Sequence, residues 1–460
     1  MPRKVTLDIA PPLARWMKES LDRSVFYRSI PVLAVRVPPA KAGLVMKAEA
    51  MRGSIMNLPK VRSVVADPAN PDENRLVLLR IQNEVDLATD AKEFLQAQSA
   101  DLTTYQLELN YDYWTADEIL QAILPEDLLE DSPTGFAVTG HLAHINLNAE
   151  YLPYKHIIGQ VIMDKNKKIR TVVNKLDSID TKFRFFEMEL IAGEPDFVVE
   201  HHESDCRFTF DFTQVYWNSR LHTEHDRLVQ LFQPSDVVAD VFAGVGPFAI
   251  PAGKKGCGVL ANDLNPNSYR YLQKNIADNK VQQHVRAFCE DGRDFIRVAA
   301  KRALENPLPS YEGPRATRSK VKEQRRARVK QTAGHSAATS SPPAEAAPQR
   351  SRVGHFVMNL PDSAISFVDA FRGILAGESE AEESVFREVY DTMPMVHCHC
   401  FTRELETDAA RRDIQQRVEE QLGHPLGKDM SLHFVRSVAP SKDMYCISFR
   451  LPQEAAFARR

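Results

Sequence analysis

The sequence predicts an α/β protein whose C-terminal half forms a doubly wound, mostly parallel β-sheet, preceded by small α+β domains. From Val237 to Leu264 a buried strand, a glycine-rich turn, a helix and a second strand follow one another, which is the order of a parallel sheet with crossover helices. Near the C-terminus Leu432–Val438 and Met444–Arg450 are joined by a short loop that contains Pro440. These two runs predict an antiparallel hairpin at the end of the sheet.

Length and composition allow several domains. With 460 residues, of which 43% are hydrophobic and 26% charged, the chain can bury two or three full-sized cores. We expect an α/β domain over residues 1–125, a strand-rich domain over 126–217 and the doubly wound domain over 218–460. Residues 305–352 are rich in Pro, Ser, Ala, Arg and Lys. They predict a disordered insertion, because such a stretch buries too little apolar surface to offset its ordering entropy.

Composition also argues against some classes of protein. No apolar run approaches the length of a membrane helix, so we predict no transmembrane span. Met1–Ile30 mixes basic and acidic residues without an apolar core, which makes a poor secretory signal. The six cysteines show no paired spacing and indicate buried thiols of an intracellular protein. The net charge of −4 suggests no polyanionic partner, but local patches matter more than the average.

The first 125 residues mix short helical and strand-like runs, and short strands follow up to residue 217. They are Pro31–Val37, Arg62–Ala66, Arg75–Gln82, Leu102–Leu109, Phe136–Leu147, Ile157–Met163, Ile169–Asn174 and Phe185–Ala192. Phe197–Phe212 predicts a hairpin that turns at Glu203-Ser204-Asp205. Eight lysines and arginines lie between Lys155 and Arg184, against three aspartates. This excess is typical of a solvated face, and together with the motifs below it favours a nucleic-acid surface.

The glycine-rich turn after the first strand of the doubly wound domain predicts a nucleotide-type site. Gly244 and Gly246 permit a tight turn and close approach of the backbone to a ligand. The second strand ends in Asp263, whose carboxylate suits ribose hydroxyls. The third glycine of a dinucleotide fingerprint is replaced by the apolar residues after Pro247, which favours S-adenosylmethionine over NAD. For the glycine pair alone, a plain βαβ turn remains the alternative.

Ligands of an open α/β sheet bind beyond the carboxyl ends of its strands, so residues just past each strand are candidates. Asp263 suits a ribose and Asp291 suits an adenine amino group, although either carboxylate could instead cap the next helix. Asn359-Leu360-Pro361 is similar to the strand end of methylases that act on an exocyclic amine. Asp362 stands where those enzymes have an aromatic residue, so a ring nitrogen is the favoured acceptor.

Two further motifs admit a structural and a functional interpretation. Val215–His225 fits packing at a domain junction, and it also offers the ring, arginine and carboxylate that an extruded base requires. His397-Cys398-His399-Cys400 looks like a metal cluster. Alternate residues of a strand face opposite ways, so these four cannot share one ion, and the motif predicts a core strand and no metal site.

Together the motifs DVFAGVGPFAIP, ANDLNP, VYWNSRLHTEHDR and NLPDSA resemble the eukaryotic and archaeal tRNA (guanine-37 N1)-methyltransferases. IRTVVNKLDSI and FRFFEMELIAGE resemble the small domain ahead of that family's catalytic core. The resemblance implies a class I, Rossmann-like methyltransferase domain preceded by small α+β RNA-binding domains. It implies S-adenosylmethionine as donor, N1 of the guanosine 3′ of the anticodon as acceptor, and a role in reading-frame maintenance. The 305–352 insertion departs from the compact family pattern.

The resemblance also implies residue roles. Glu224 matches the general base, Arg184 the arginine near guanine O6, and Tyr216 and Asn359 the residues that place the base; Arg220 matches a further arginine near the substrate. These types agree with the chemistry, because the N1 proton must leave and negative charge then collects on O6. Pro361 is also expected at the substrate, and the residues expected at the donor are His225, Phe242, Gly244, Gly246, Asp263, Leu264, Asp291, Gly292 and Asn359.

Two alternatives come from different classes of protein. One is the related aminocarboxypropyl transferase of wybutosine synthesis, and the other is an inactive RNA-binding module on the same fold. Glu224 and the intact Asn359-Leu360-Pro361 favour methyl transfer, because the rival transferase needs no base for N1. We expect tRNA as partner, through its anticodon loop and body, no membrane, and a monomer. We expect a cytoplasmic location with nuclear and mitochondrial matrix pools.

Overall fold

The computed structural model describes residues 7–129, 133, 135–179, 186–311, 313 and 349–459, without the side chains of 177–179 and 186. The chain divides into two compact units. The first comprises Met1–Lys175 and Met188–Pro195, and the second comprises Leu176–Glu187 and Asp196–Arg460. Arg184 and most of the predicted insertion lie outside the described residues. Within the described ranges no helix is both long and apolar enough to cross a membrane.

The first unit begins with an antiparallel sheet. Its elements are β1 (Arg28–Val37), α1 (Pro39–Lys47), β2 (Val64–Ala66), β3 (Arg75–Leu78), α2 (Thr89–Ala97) and β4 (Asp101–Leu109). The strands lie in the order β2-β3-β1-β4, and β1 pairs with both β3 and β4. Each of the four short helical or strand-like runs noted in this region contains a strand, because each carries the apolar content of a half-buried strand.

A second sheet follows in the chain. Its elements are α3 (Ala116–Ile123), β5 (Ala137–Thr139), β6 (Leu142–Ile145), α4 (Lys155–Lys165), β7 (Thr171–Ile179) and β8 (Phe186–Gly193). The strands lie in the order β5-β6-β7-β8. The run predicted as one strand at Phe136–Leu147 is a hairpin, because Gly140 adopts a positive φ of 60° and turns the chain between β5 and β6.

The predicted strand at Ile157–Met163 is wrong, since these residues lie in α4. A short apolar run is compatible with a buried helix as well as with a strand, and periodicity alone does not separate the two. The buried residues of α4 are Ile157, Ile158, Gly159, Val161 and Ile162. A Cβ at Gly159 would lie 2.9 Å from Cγ1 of Ile191, so the glycine lets the helix pack closely against β8. This packing overrides the local preference of the β-branched residues for a strand.

One apolar cluster joins the regions predicted as domains 1–125 and 126–217. Trp114 and Leu120 enter it from the first region, and Ile158 and Val161 enter it from the second. The apolar face of α3 is therefore buried against residues that follow position 126. The compact units divide near residue 196, whereas the sequence predicts boundaries at 125 and 217.

The second unit is built on a seven-stranded sheet. Its elements are β9 (Val198–Glu203), β10 (Cys206–Asp211), α5 (His222–Leu231), β11 (Val237–Asp240), α6 (Ala249–Lys255), β12 (Gly258–Asn262), α7 (Pro266–Asp278), β13 (Val285–Phe288), α8 (Gly292–Glu305), β14 (Val353–Met358), α9 (Glu380–Val389), β15 (Met395–Thr402), α10 (Thr407–Leu422), β16 (Ser431–Ala439), β17 (Lys442–Arg450) and α11 (Gln453–Ala456). The order is β13-β12-β11-β14-β15-β17-β16, and β17 is antiparallel to both of its neighbours. The predicted mostly parallel sheet with a terminal antiparallel hairpin is confirmed. The strand order reverses between β11 and β14, where such sheets bind ligands.

β15 contains the motif His397-Cys398-His399-Cys400 and is a core strand, as predicted. Cys398 and Cys400 are fully buried in the main apolar cluster of the unit. His397 and His399 face the other side, where His399 meets Glu224 of α5. One face of this strand is therefore apolar and the other is polar.

The 305–352 insertion leaves and rejoins the unit at one point. Leu308 and Arg350 exchange backbone hydrogen bonds of 2.9 and 3.0 Å. The Arg350 guanidinium donates to the carbonyl oxygens of Pro234, Gly256 and Pro309. These bonds join the two ends of the insertion beside the start of β12, away from the carboxyl ends of the strands.

Candidate active site

A cleft opens at the carboxyl ends of β11, β12 and β14. It contains about 590 Å³ of empty space, including its open mouth. The residues that line it are Tyr216, Trp217, Asn218, Leu221, His225, Phe242, Ala243, Gly244, Val245, Pro247, Asp263, Ser268 and Asn359. Six of the predicted site residues therefore meet in one cleft, at the switch point of the sheet.

The glycine-rich turn forms the floor of the cleft. Gly244 and Gly246 have φ values of 56° and 103°, which other residues rarely adopt. A Cβ at Gly246 would also stand 2.6 Å from Cγ1 of Ile250 and 2.9 Å from Cδ1 of Leu272. The turn therefore requires glycine at position 246 for two independent reasons. Its tightness brings the backbone N–H of Gly244 to the end of β12.

Asp263 is fixed at that end by two backbone donors. Gly244 N donates to Oδ2 at 2.8 Å, and Asn265 N donates to Oδ1 at 2.9 Å. Each carboxylate oxygen keeps a lone pair for a ligand hydroxyl. Leu264, the next residue, is 40% exposed. The predicted ribose-binding carboxylate is thus held in place before any ligand arrives.

Two lining residues carry buried polar atoms without a hydrogen-bond partner among the described residues. They are the acceptor Oδ1 of Asn359 and the donor Nε1 of Trp217. Buried polar atoms are normally paired, so such atoms in a cleft indicate where a ligand supplies the partner. Asn359 was predicted at the site. Trp217 was not singled out from its neighbour Tyr216, because adjacent aromatic residues look alike in a sequence.

Asp240, the last residue of β11, is a polar residue that the sequence analysis missed. It is fully buried, and neither carboxylate oxygen has a hydrogen-bond partner among the described residues. Burial, and then the nearby charge of Asp263, raise the pKa of Asp240 to about 8. The signal in the sequence is a single acidic residue inside an apolar strand, directly before the glycine-rich turn.

The segment before α5 lines the mouth of the cleft. Tyr216 is 45% exposed, and its hydroxyl accepts a hydrogen bond of 3.4 Å from Nδ2 of Asn218. The side chain of Asn218 also accepts from the backbone N–H of Arg220 at 3.2 Å, which shapes the turn into the helix. Arg220 is exposed. An open aromatic ring and an open arginine therefore stand at this end of the cleft.

His225 is oriented from behind by the β9–β10 hairpin. Its Nδ1 lies 2.5 Å from Oε1 of Glu203, and its ring packs edge-on against Phe248 at 4.8 Å between centroids. Burial would raise the pKa of Glu203, but hydrogen bonds from His201 and His225 lower it to about 2. The ionised Glu203 thereby fixes the ring of His225 in the cleft wall.

Glu224 lies beside the cleft and not in its wall. Of the α5 residues described, His225 lines the cleft and Glu224 does not. The Glu224 side chain is 3% exposed, and its carboxylate is bonded by Arg227 and by His399. Burial would raise the pKa of Glu224, but these two partners lower it to about 2. Its role as a base stays a prediction.

The other predicted site residues lie around the cleft. Asp291 caps α8 by accepting from Arg293 N at 2.8 Å, which is the alternative that the sequence left open, and its contact with adenine stays a prediction. Gly292 leaves room for the ring of Phe242 to pack against the backbone, since a Cβ at position 292 would lie 2.8 Å from that ring. The carbonyl of Pro361 accepts from the N–H of Phe401 at 3.1 Å, which ties the end of β14 to β15. Arg184 lies outside the described residues.

Two protein families match this chain, one in each compact unit. The family described as TYW2 N-terminal domain matches residues 116–196, and the family described as TRM5/TYW2 methyltransferase domain matches residues 199–310. The border between the two matches coincides with the division between the compact units near residue 196. Among solved structures, Trm5b from Pyrococcus abyssi covers 91% of this chain and 99% of its own at 22% identity and a TM-score of 0.55. A complex of aTrm5 with tRNALeu covers 91% and 100% at 17% identity and a TM-score of 0.57. These two likenesses confirm the predicted fold.

Curated relatives are similar over their whole length. The tRNA (guanine(37)-N(1))-methyltransferase of Coprinopsis cinerea is 60% identical over 459 residues, which are 100% of this chain and 99% of the relative. The enzymes of the same name from Schizosaccharomyces pombe and Saccharomyces cerevisiae are each 44% identical, and they cover 96% of this chain and 96% and 94% of their own. The resemblance predicted from the motifs is confirmed, and the chain belongs to the family of tRNA (guanine(37)-N(1))-methyltransferases.

Proposed function

We propose that this chain transfers a methyl group from S-adenosylmethionine to N1 of guanosine 37 in tRNA, next to the anticodon, and so supports reading-frame maintenance. One observation carries the proposal. The cleft at the switch point of the sheet gathers six predicted site residues, in a chain that is 60% identical over its full length to a relative named for this reaction.

The described residues fit S-adenosylmethionine. The fixed Asp263 carboxylate offers acceptors to ribose hydroxyls, while Asn359 Oδ1 and Trp217 Nε1 offer an unpaired acceptor and an unpaired donor. Gly244 keeps its part of the cleft floor free of a side chain, and Gly246 allows the tight turn that places it there. When bound, S-adenosylmethionine supplies a methyl group on its sulfonium. The residues of the cleft hold and orient it and keep water away, and no covalent intermediate with the protein is needed.

The exposed residues at the mouth suit the acceptor base. The open ring of Tyr216 is available to stack on a guanine that has left the anticodon loop. Arg220, four residues later, offers a cation to the same base or to its phosphate. Asn359 and Pro361, at the end of β14, bound the opposite side of the base. These contacts are the roles that the family resemblance assigns.

Methylation of N1 requires removal of its proton, and we assign this step to Glu224. The side chain follows Leu221 by one helical turn and precedes His225, and both of these residues line the cleft. With a pKa of about 2 the carboxylate is ionised at neutral pH, which is the form that accepts a proton, while the same partners that keep it ionised also make it a weaker base. Negative charge collects on O6 as the proton leaves. We assign its stabilisation to Arg184, because a fixed cation acts most strongly on charge that develops in the transition state.

We further propose that the enzyme acts as a monomer on the anticodon loop and body of tRNA, in the cytoplasm with nuclear and mitochondrial matrix pools. The two units within one chain support the first part, since the cleft lies wholly in the second unit. Sedimentation with and without tRNA tests the oligomeric state. Imaging of a fluorescent fusion beside compartment markers tests the location.

The function is tested with two tRNA transcripts that differ only in guanosine or adenosine at position 37. We expect methyl transfer to the first and none to the second. Mass spectrometry of the released nucleoside separates the methyl group from an aminocarboxypropyl group, and calorimetric titration with S-adenosylmethionine separates an enzyme from an inactive RNA-binding module. Equal modification of both transcripts would contradict the proposal.

A further inference from the structure

Glu224 covers a row of three side chains on neighbouring strands. His399 of β15 pairs with Cys446 of β17, and Cys446 pairs with His433 of β16, so the three side chains stand side by side on one face of the sheet. Glu224 and Arg227 of α5 approach the same face. These five residues are called the Glu224 cluster below.

Two basic side chains engage the Glu224 carboxylate. Nε of Arg227 donates to Oε2 at 2.6 Å and Nη2 donates to Oε1 at 2.7 Å, which is the bidentate arrangement. Nε2 of His399 lies 2.7 Å from Oε1, and Nε2 of His433 is farther, 3.7 Å from Oε2. The side chains of His399 and Glu224 are 0% and 3% exposed. Water therefore screens this contact very little.

We propose that His399, together with Arg227, is a positioning residue for methyl transfer that holds the Glu224 carboxylate ionised and in one orientation, ready for the N1 proton of guanine. The inference rests on the base role proposed for Glu224. Within the described residues neither His399 nor Arg227 lines the cleft, so both act through Glu224. A base that is preorganised in this way needs no rearrangement of its partners at the moment of reaction.

The charges of the cluster agree with this role. Burial would lower the pKa of His399, but Cys446 and Glu224 raise it to about 10. The cluster therefore holds the Glu224 carboxylate between two cations at neutral pH. The other titratable groups that face Glu224 or His399 are Cys446 of β17, His433 of β16, His397 of β15 and Asp240 of β11.

A metal ion is the competing interpretation of the same side chains. Among the described residues Glu224, His399 and Cys446 each place one ligand atom within 4.8 Å of the others. The Arg227 guanidinium, however, already occupies both carboxylate oxygens and would repel a divalent cation. The contacts thus favour an ion pair over a metal site.

The test compares His399→Gln with the matched control His397→Gln. Both histidines are buried on the same face of β15, but His397 bonds to Ser448 and His355 and not to Glu224. Single-turnover methyl transfer is measured with saturating S-adenosylmethionine and tRNA from pH 5.5 to pH 8.5. Loss of the cation raises the pKa of Glu224, so we expect the ratio of His399→Gln to wild-type rate to be lower at pH 5.5 than at pH 8.5, by at least about twofold. The ratio for His397→Gln should not change with pH.

Two other results would overturn the proposal. A pH-independent ratio for His399→Gln, with S-adenosylmethionine affinity unchanged, would overturn the positioning role. If His399→Gln does not fold, Arg227→Gln gives the same test, because Arg227 is the other cation bonded to Glu224 and its side chain is 26% exposed. Zinc that copurifies at one ion per chain and is lost from His399→Gln would overturn the ion pair in favour of a metal site.

Glu224→Gln is measured in parallel to separate this inference from the proposed function. A wild-type rate for Glu224→Gln would remove the base role itself. A large loss for Glu224→Gln together with a flat pH ratio for His399→Gln would remove only the positioning role.

Discussion

The donor cleft and the Glu224 carboxylate, both in the second unit, differ in whether their buried polar atoms have hydrogen-bond partners. In and beside the cleft, the side-chain atoms of Asn359, Trp217 and Asp240 include buried donors and acceptors without a partner among the described residues. In the cluster both oxygens of the Glu224 carboxylate are engaged by Arg227 and His399, and the one buried atom of the cluster without a partner among the described residues is Nδ1 of His399.

Unpaired buried atoms and a fully paired carboxylate prepare a protein for its reaction in two different ways. An unpaired buried atom costs stability in the absence of a ligand, so it is retained where a ligand provides the partner. A fully paired carboxylate gains nothing from a ligand, but its position is set in advance. Substitutions in the cleft should therefore affect ligand binding more than folding, whereas substitutions in paired networks should affect the fold or the chemical step.

The largest expected effect belongs to Glu224→Gln. The amide cannot accept the N1 proton, so we expect the single-turnover rate to fall by roughly 10²- to 10⁴-fold. Calorimetry should give nearly unchanged affinity for S-adenosylmethionine, because Glu224 does not line the cleft within the described residues. Asp226→Asn, two residues later and exposed, is the control and should keep its rate. A rate for Glu224→Gln within a factor of three of the control would contradict the base role.

Asn359→Ala and Asn262→Ala compare an unpaired with a paired amide. Oδ1 of Asn359 has no partner among the described residues, so its removal should leave the melting temperature nearly unchanged and weaken S-adenosylmethionine binding by about 10- to 100-fold. Asn262 donates to the carbonyls of Val241 and Glu290 and accepts from Glu290 N. Asn262→Ala should therefore lower the melting temperature clearly. The comparison fails if Asn359→Ala loses as much stability as Asn262→Ala.

Gly246→Ala tests the floor of the cleft. The positive φ of 103° and the Cβ contact of 2.6 Å with Ile250 should together cost about 2–3 kcal/mol of unfolding free energy. Gly354→Ala is the control, since a Cβ there meets no atom closer than 3.8 Å. Chemical denaturation of the two variants gives the difference directly. Equal stability would mean that the turn relaxes without strain.

Most of the fold could be predicted because its signals are local. The buried β-branched strands, the glycine-rich turn and the terminal hairpin each have a pattern in the sequence. Ile157–Met163 was assigned to a strand because only its contact with β8 determines that it is helical. The apolar cluster shared by Trp114 and Val161 could not be predicted, because it is a property of tertiary packing.

The site could be predicted where a residue follows a strand end or belongs to a motif. Asp263 and Asn359 are of this kind, and both line the cleft. His399 could not be linked to Glu224, because the two residues are 175 positions apart in the chain and only the packing of α5 against β15 brings their side chains to 2.7 Å. The same alternation that excluded a four-residue metal cluster in β15 leaves His399 free to face a different partner.

The smallest effect concerns the two aspartates at the ends of β11. The pKa of Asp240 is raised to about 8 by burial, so its contribution to stability is complete at low pH and is lost as the pH rises toward 8. Asp236 has the opposite sign: burial would raise its pKa, but contacts with His355 and the N–H of Gln233 lower it. Its contribution is present at neutral pH and is lost only as the pH falls through its lowered pKa.

Melting curves of Asp240→Asn and Asp236→Asn between pH 4 and pH 8 provide the test. Asp240→Asn cannot ionise, so its stability relative to wild type should increase by about 1 kcal/mol for each pH unit between 5 and 7. Asp236→Asn should be less stable than wild type throughout this range, and the difference should stay nearly constant, because the lowered pKa of Asp236 keeps its carboxylate mostly ionised even at pH 4. The two variants thus compare a carboxylate without a partner among the described residues, Asp240 at the end of β11, with a paired carboxylate, Asp236 directly before β11. Parallel pH dependences for both would show that pairing does not decide how these carboxylates affect stability.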